Sequence, residues 1–169
     1  VASAFPALER LAVVNMPLTC MDLEQLSVCT HLTSLELDSC QPTDETGSSQ
    51  ATTTSPLAAV SSFRQLKLSR VSSTLARGLT QLTSLHLESQ GETLKECIGN
   101  ISGVCSLQQL CVVSAKYPTT TVSTLVFQQL VTTAASLTHL VVLPCDLGQQ
   151  EMDLLLTHAK QLTHLTCSS

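Results

Sequence analysis

One apolar string returns seven times along the chain, in the form L-x-x-L-x-L. It reads LERLAV from Leu8, LTSLEL from Leu32, FRQLKL from Phe63, LTSLHL from Leu82, LQQLCV from Leu107, LTHLVV from Leu137 and LTHLTC from Leu162. The starts are separated by 24, 31, 19, 25, 30 and 25 residues. In an extended segment successive side chains point to opposite faces. The second and third apolar places of each string, such as Leu35 and Leu37, therefore share one face, and Glu36 between them takes the other. A single strand of this kind cannot bury its apolar side alone. The pattern predicts strands stacked in parallel over one leucine interior, each unit touching only its neighbours.

Between the strings the spacing turns helical. Met152, Leu155, Leu156 and Ala159 fall at i, i+3, i+4 and i+7 and predict one helix face. Leu23 and Leu26 play that part after the first string, and Leu125, Phe127, Leu130 and Val131 in the fifth unit. The third unit is short enough to hold only a turn or a 3₁₀ segment carrying Leu75 and Leu79. Two stretches break the period. Residues 41–55, QPTDETGSSQATTTS, are polar and low in complexity and read as a mobile insertion. Residues 116–122, KYPTTTV, form a shorter one. Neither is a domain boundary, so residues 1–169 are expected to form one array of about seven units.

Composition sharpens this picture. Hydrophobic residues make up 43% of the chain but aromatics only 2%, so the interior must be built from Leu, Val, Ala and Cys. Many small, similar layers suit such a core. Charge is sparse, and the net charge of −5 with no run of Lys or Arg argues against nucleic acid and against a basic membrane-binding helix. No apolar span reaches 18 residues, and no charged segment followed by an apolar one marks a signal peptide. The eight cysteines include no C-x-x-C pair, and a chain with this much core does not need a disulfide framework. They read as free, buried thiols in a reducing cytoplasm.

The strings LTSLELDSC and LTHLVVLPCDL resemble the L-x-x-L-x-L-x-x-C/N-x-L signature of leucine-rich repeat proteins, and their mean spacing of about 26 residues lies in that family's range. The last unit is similar to the cysteine-containing and ribonuclease-inhibitor-like classes, while CIGNISGVCSLQQL resembles plant-type units, so the chain is a mosaic. The resemblance implies an α/β solenoid, a right-handed horseshoe with parallel strands on the concave face and helices or short turns on the convex one. It also implies that the position three past the last strand leucine turns inward. Here that position is Met16, Cys40, Val71, Gln90, Ala115 and Cys145 in successive units, and only the two cysteines match the family. The first string lacks a polar capping unit and the last stops in mid-strand, which reads as a piece of a longer array.

The outward strand residues supply the candidate site. Glu36, Asp38, Lys67, Arg70, His86 and Glu88 are expected to form a charged patch over the second to fourth units. Val113, Val141 and Leu143 are expected to form an apolar patch beyond it, with His139 beside them. Together they read as a two-part docking surface for a protein partner. The resemblance admits three functional classes: a non-catalytic protein-interaction module, the substrate-recognition arm of a cullin-type ubiquitin ligase, and a secreted or receptor-type recognition domain. His139 and His164 occupy equivalent places and offer two metal ligands at most, so no metal site is expected. Asn100-Ile101-Ser102 matches a glycosylation sequon but reads as chance. No nucleophile elbow, phosphate loop or zinc-protease motif is present, and no catalytic residue, cofactor or small-molecule substrate is expected.

Overall fold

The computed structural model describes residues 7–40, 55–90, 92–101, 104, 106–114, 128, 130–131, 135–143 and 147–167. Each apolar string becomes a strand: β1 Arg10–Val14, β2 Ser34–Asp38, β3 Gln65–Ser69, β4 Ser84–Ser89, β5 Gln109–Ser114, β6 His139–Leu143 and β7 His164–Cys167. They form one parallel sheet in the order β1-β2-β3-β4-β5-β6-β7. The register is that of the strings. Leu11, Leu35, Leu66, Leu85, Leu110, Leu140 and Leu165 pair in succession across all seven strands. This is the architecture of a leucine-rich repeat solenoid.

Burial follows the alternation. Leu35, Leu85, Leu110 and Leu140 are each at most 1% exposed, as are Leu37, Leu68, Leu87, Val112 and Val142. Burying one such side chain stabilises the fold by about 1.5–3 kcal/mol. Phe63 takes the place of the first leucine in its string and is fully buried. At the β1 end the same positions are only half covered, and an apolar groove lined by Leu8, Leu11, Val13, Leu18 and Leu26 opens between β1 and the segment that follows it.

Hydroxyl groups tie one unit to the next. Four of the seven strings carry Thr at their second place. The hydroxyls of Thr33, Thr83, Thr138 and Thr163 each donate to the equivalent carbonyl of the preceding unit, Glu9, Arg64, Gln108 and Thr138 in turn. Those carbonyls already accept two backbone N–H groups, as Arg64 does from Thr83 and Ser84. Ser62, Ser106 and Ser136 add a parallel column, donating to the carbonyls of Leu32, Leu82 and Leu107 at 2.8 Å. The serine column thereby satisfies half-buried carbonyls at the unit boundary.

The return segments are short. Helix α1 spans Cys20–Glu24 and runs into a 3₁₀ turn at Gln25–Val28; further 3₁₀ turns lie at Pro56–Ala59 and Ser73–Ala76; α2 spans Leu94–Asn100 and α3 Gln149–His158. Thr19 with Asp22, and Thr93 with Glu96, form capping boxes that start α1 and α2 by satisfying their free N–H groups. The third unit has only its 3₁₀ turn, with Leu75 and Leu79 buried as expected. Leu23, Leu130 and Val131 are buried too, whereas Leu125 and Phe127 lie outside the described residues.

Four expectations change. Cys20 is exposed and Cys111 and Cys167 are half-buried, so not every thiol lies in the core. Leu156 is 68% exposed. Helix α3 is rotated so that Leu155 and Ala159 face the core with Glu151, and Leu156 faces solvent. Met16 and Gln90 do not turn inward; both are exposed. Strands β4 and β5 run one residue longer than β2 and β3, and Ser89 and Ser114 supply the inward group instead. Ser89 Oγ accepts from the Glu92 N–H at 3.0 Å and Ser114 Oγ donates to the Glu92 carbonyl at 2.8 Å. Ser69 occupies an outward place by strand alternation with Lys67, yet is only 5% exposed. Cys40 and Val71 do turn inward, and the Cys40 thiol donates to the Val13 carbonyl at 3.4 Å. Ala115, Cys145, residues 41–54 of the first insertion and all of 116–122 lie outside the described residues.

Candidate interaction surface

The parallel register sets the outward side chains in rows across the strands. One row runs Glu36, Lys67, His86, Cys111, Val141, Thr166, with Ala12 at its head. The next runs Asp38, Glu88, Val113, Leu143, headed by Val14, with the buried Ser69 between Asp38 and Glu88 in register. A third carries Gln109, His139 and His164. Adjacent strands lie about 4.8 Å apart, so neighbours in a row are in reach of one another. The structure thus brings the charged residues together over β2–β4 and the apolar ones over β5 and β6. Val113, Val141 and Leu143 are half-buried rather than fully exposed.

The charged block is largely paired with itself. Lys67 Nζ lies 2.6 Å from Glu36 Oε1. Arg70 reaches back over β3 to Asp38, with Nε 3.0 Å and Nη2 2.8 Å from Oδ1, and Nη2 3.0 Å from Oδ2. This fork geometry is the specific mode of arginine–carboxylate recognition. Arg70 can make it because its backbone is left-handed, at φ 58. Asn15 and Ser39, each also one residue past a strand, share that conformation, and each donates its N–H to the next strand's unit, Asn15 to Asp38 and Ser39 to Ser69. The Arg70 guanidinium holds the Asp38 carboxyl below the usual carboxylate range, and Glu36 holds the Lys67 ammonium above its usual value.

His86 sits between these charges. Burial, then the Lys67 charge, lowers its pKa, outweighing the opposite pull of Glu88 and Glu36. Its neighbour in the row, Cys111, is half-buried, and burial with the charge of Glu88 raises the thiol pKa. The two expected histidines do stack: the His139 and His164 rings are 4.2 Å apart at 7°. Each Nδ1 is held 2.9 Å from the hydroxyl of the threonine before it, Thr138 and Thr163. His164 therefore belongs to this surface with His139. The signal was the duplicated LTHL string. Among the described residues no group of three His, Cys, Asp or Glu is placed to hold a metal ion.

A second polar cluster lies off the strand face, between the 3₁₀ turn of the third unit and α2. Glu92 accepts the Ser72 hydroxyl at 2.7 Å and the Ser73 N–H at 3.1 and 3.0 Å, and the Cys97 thiol lies 3.6 Å away. Burial first, and then Glu92, push the Cys97 thiol up to about 12, which leaves it an unreactive core group. Asn100 of the sequon is 8% exposed, donates to Ser73 Oγ at 2.7 Å and accepts from Arg77. Its amide is committed inside the fold.

No family model matches the chain, and no curated protein matches it either. Among solved structures it is similar to a crystal structure of an internalin from Listeria monocytogenes, with 21% sequence identity and a TM-score of 0.45, over 92% of this chain. The chain spans about half of that protein, 53% of its length.

Proposed function

We propose that the chain is a non-catalytic protein-interaction module that docks a partner on the outward face of its strands. One observation carries this reading. The register sets a polar block (Glu36, Asp38, Lys67, His86, Glu88, with Arg70) directly beside an apolar block (Val113, Val141, Leu143, with His139) on a single sheet. A pre-organised surface of this composition fits protein recognition, in which an apolar centre is flanked by a polar rim. Its unit type is of the cysteine-containing kind, a reading supported by the Cys40 thiol donating to Val13. Thiols used as donors or held protonated in the core, as Cys40 and Cys97 are, suit a reducing compartment such as the cytoplasm. The array itself is one domain of about seven units.

The test is a double variant, Lys67→Glu with Val141→Asp, whose fold is verified by circular dichroism. Partners recovered with the parent chain are expected to be lost from it. An unchanged partner set would refute docking on this face.

A further inference from the structure

The charges of the polar block are unequal in what they leave for a partner. Glu36 and Asp38 are each occupied by a cation of the chain itself, Lys67 at 2.6 Å and Arg70 at 2.8 Å. Glu88 is exposed, and among the described residues its carboxylate has no ion pair. Lys67 feels the charge of Glu88 but is seated on Glu36. His86, two residues before Glu88 on the same face, has its pKa lowered by burial and then by Lys67. Among the described residues, Glu88 is therefore the open anion of this surface. It is also the member that touches the apolar block, since its row continues into Val113 and then Leu143. Two strand spacings, about 10 Å, separate the backbone at Glu88 from that at Leu143.

Resting on the docking reading above, we propose that this face takes a peptide segment of a protein partner bearing a Lys or Arg side chain about 10 Å from an apolar one. The cation pairs with Glu88, and the apolar side chain covers Leu143 and Val113. Charge complementarity selects the cation: an acidic group set over Glu88 would be repelled, with no free cation among the described residues of this face to offset it. The half-buried Val113 and Leu143 select the apolar neighbour, because a polar group set against them would be desolvated without a hydrogen-bond partner. The closed pairs at Glu36–Lys67 and Asp38–Arg70 add little, since a partner would have to break one pair to make another.

The experiment is a selection from a displayed library of random linear peptides on the full chain, followed by titration of the recovered peptides. Recovered peptides are expected to combine Lys or Arg with apolar residues, and to perturb backbone amide signals in β4, β5 and β6. Glu88→Gln is expected to weaken them by about two- to fivefold, the scale of one exposed ion pair. A selection repeated on Glu88→Lys is expected to recover acidic peptides instead. Leu143→Asp is expected to abolish binding. Neutral or acidic peptides that still perturb β4–β6 would overturn this inference while leaving the docking face standing. Peptides that perturb other strands and ignore Leu143→Asp would overturn the docking face itself. An empty selection would count against both.

Discussion

Arg70 lies one residue past β3, yet its guanidinium grips Asp38 at the end of β2 through both Nε and Nη2. The contact exists because a left-handed backbone at Arg70 turns the side chain back across the sheet. It closes one of the charges that alternation alone would leave open on this surface.

The pair sets a pH prediction. The folded pKa of Asp38 is below its ordinary 3.8, so the pair contributes stability that is fully present above that value and is lost as pH falls through the lower, folded one. Arg70→Ala is expected to move the Asp38 carboxyl titration, followed by NMR, up towards 3.8. A titration that stays put would show that Arg70 is not what holds it.

The left-handed residues make a second prediction. An L-residue held at positive φ costs about 1–2 kcal/mol relative to the right-handed region, which glycine avoids at a smaller entropic cost. Ser39→Gly, at φ 54, is expected to stabilise the chain by about 0.5 kcal/mol. Asn15→Gly, also at φ 54, should be nearly neutral because asparagine tolerates this conformation. Urea midpoints of the two variants check the difference, and equal effects would discount the backbone explanation.

Core substitutions should depend on place in the stack. Leu85 is 1% exposed and packed between neighbours on both sides, so Leu85→Ala is expected to cost about 2–5 kcal/mol. Leu11 is half-buried at the β1 edge, and Leu11→Ala should cost about 1 kcal/mol. Chemical denaturation of both variants, with equal losses, would contradict a layered core.

Cysteine labelling offers a fourth test. Cys20 is exposed, whereas Cys29, Cys40 and Cys97 are buried, and the Cys97 thiol is pushed up to about 12. Iodoacetamide at pH 8 is expected to modify Cys20 first and Cys111 more slowly, and to reach Cys97 only in denaturant. Mass spectrometry showing early modification of Cys97 would mean that its surroundings open readily.

Much of this molecule could be read from the order of its residues. The leucines at alternating places determined strand, face and register together, because a one-residue slip would have sent every apolar side chain into water. The same alternation put nine of the ten candidate residues, all but Arg70, at outward strand positions, and aligned His139 with His164. What it could not determine was how side chains on that surface answer one another. That Lys67 and Arg70 close on Glu36 and Asp38 while Glu88 has no ion pair among the described residues depends on the left-handed turn after β3 and on distances between strands 19 to 31 residues apart in the chain. The rotation of α3, which exposes Leu156 and brings Glu151 inward, was likewise hidden, since a short helix packs by its neighbours and not by its periodicity alone. Local spacing decides which face is apolar; only contacts between units decide which charges and which turns remain available.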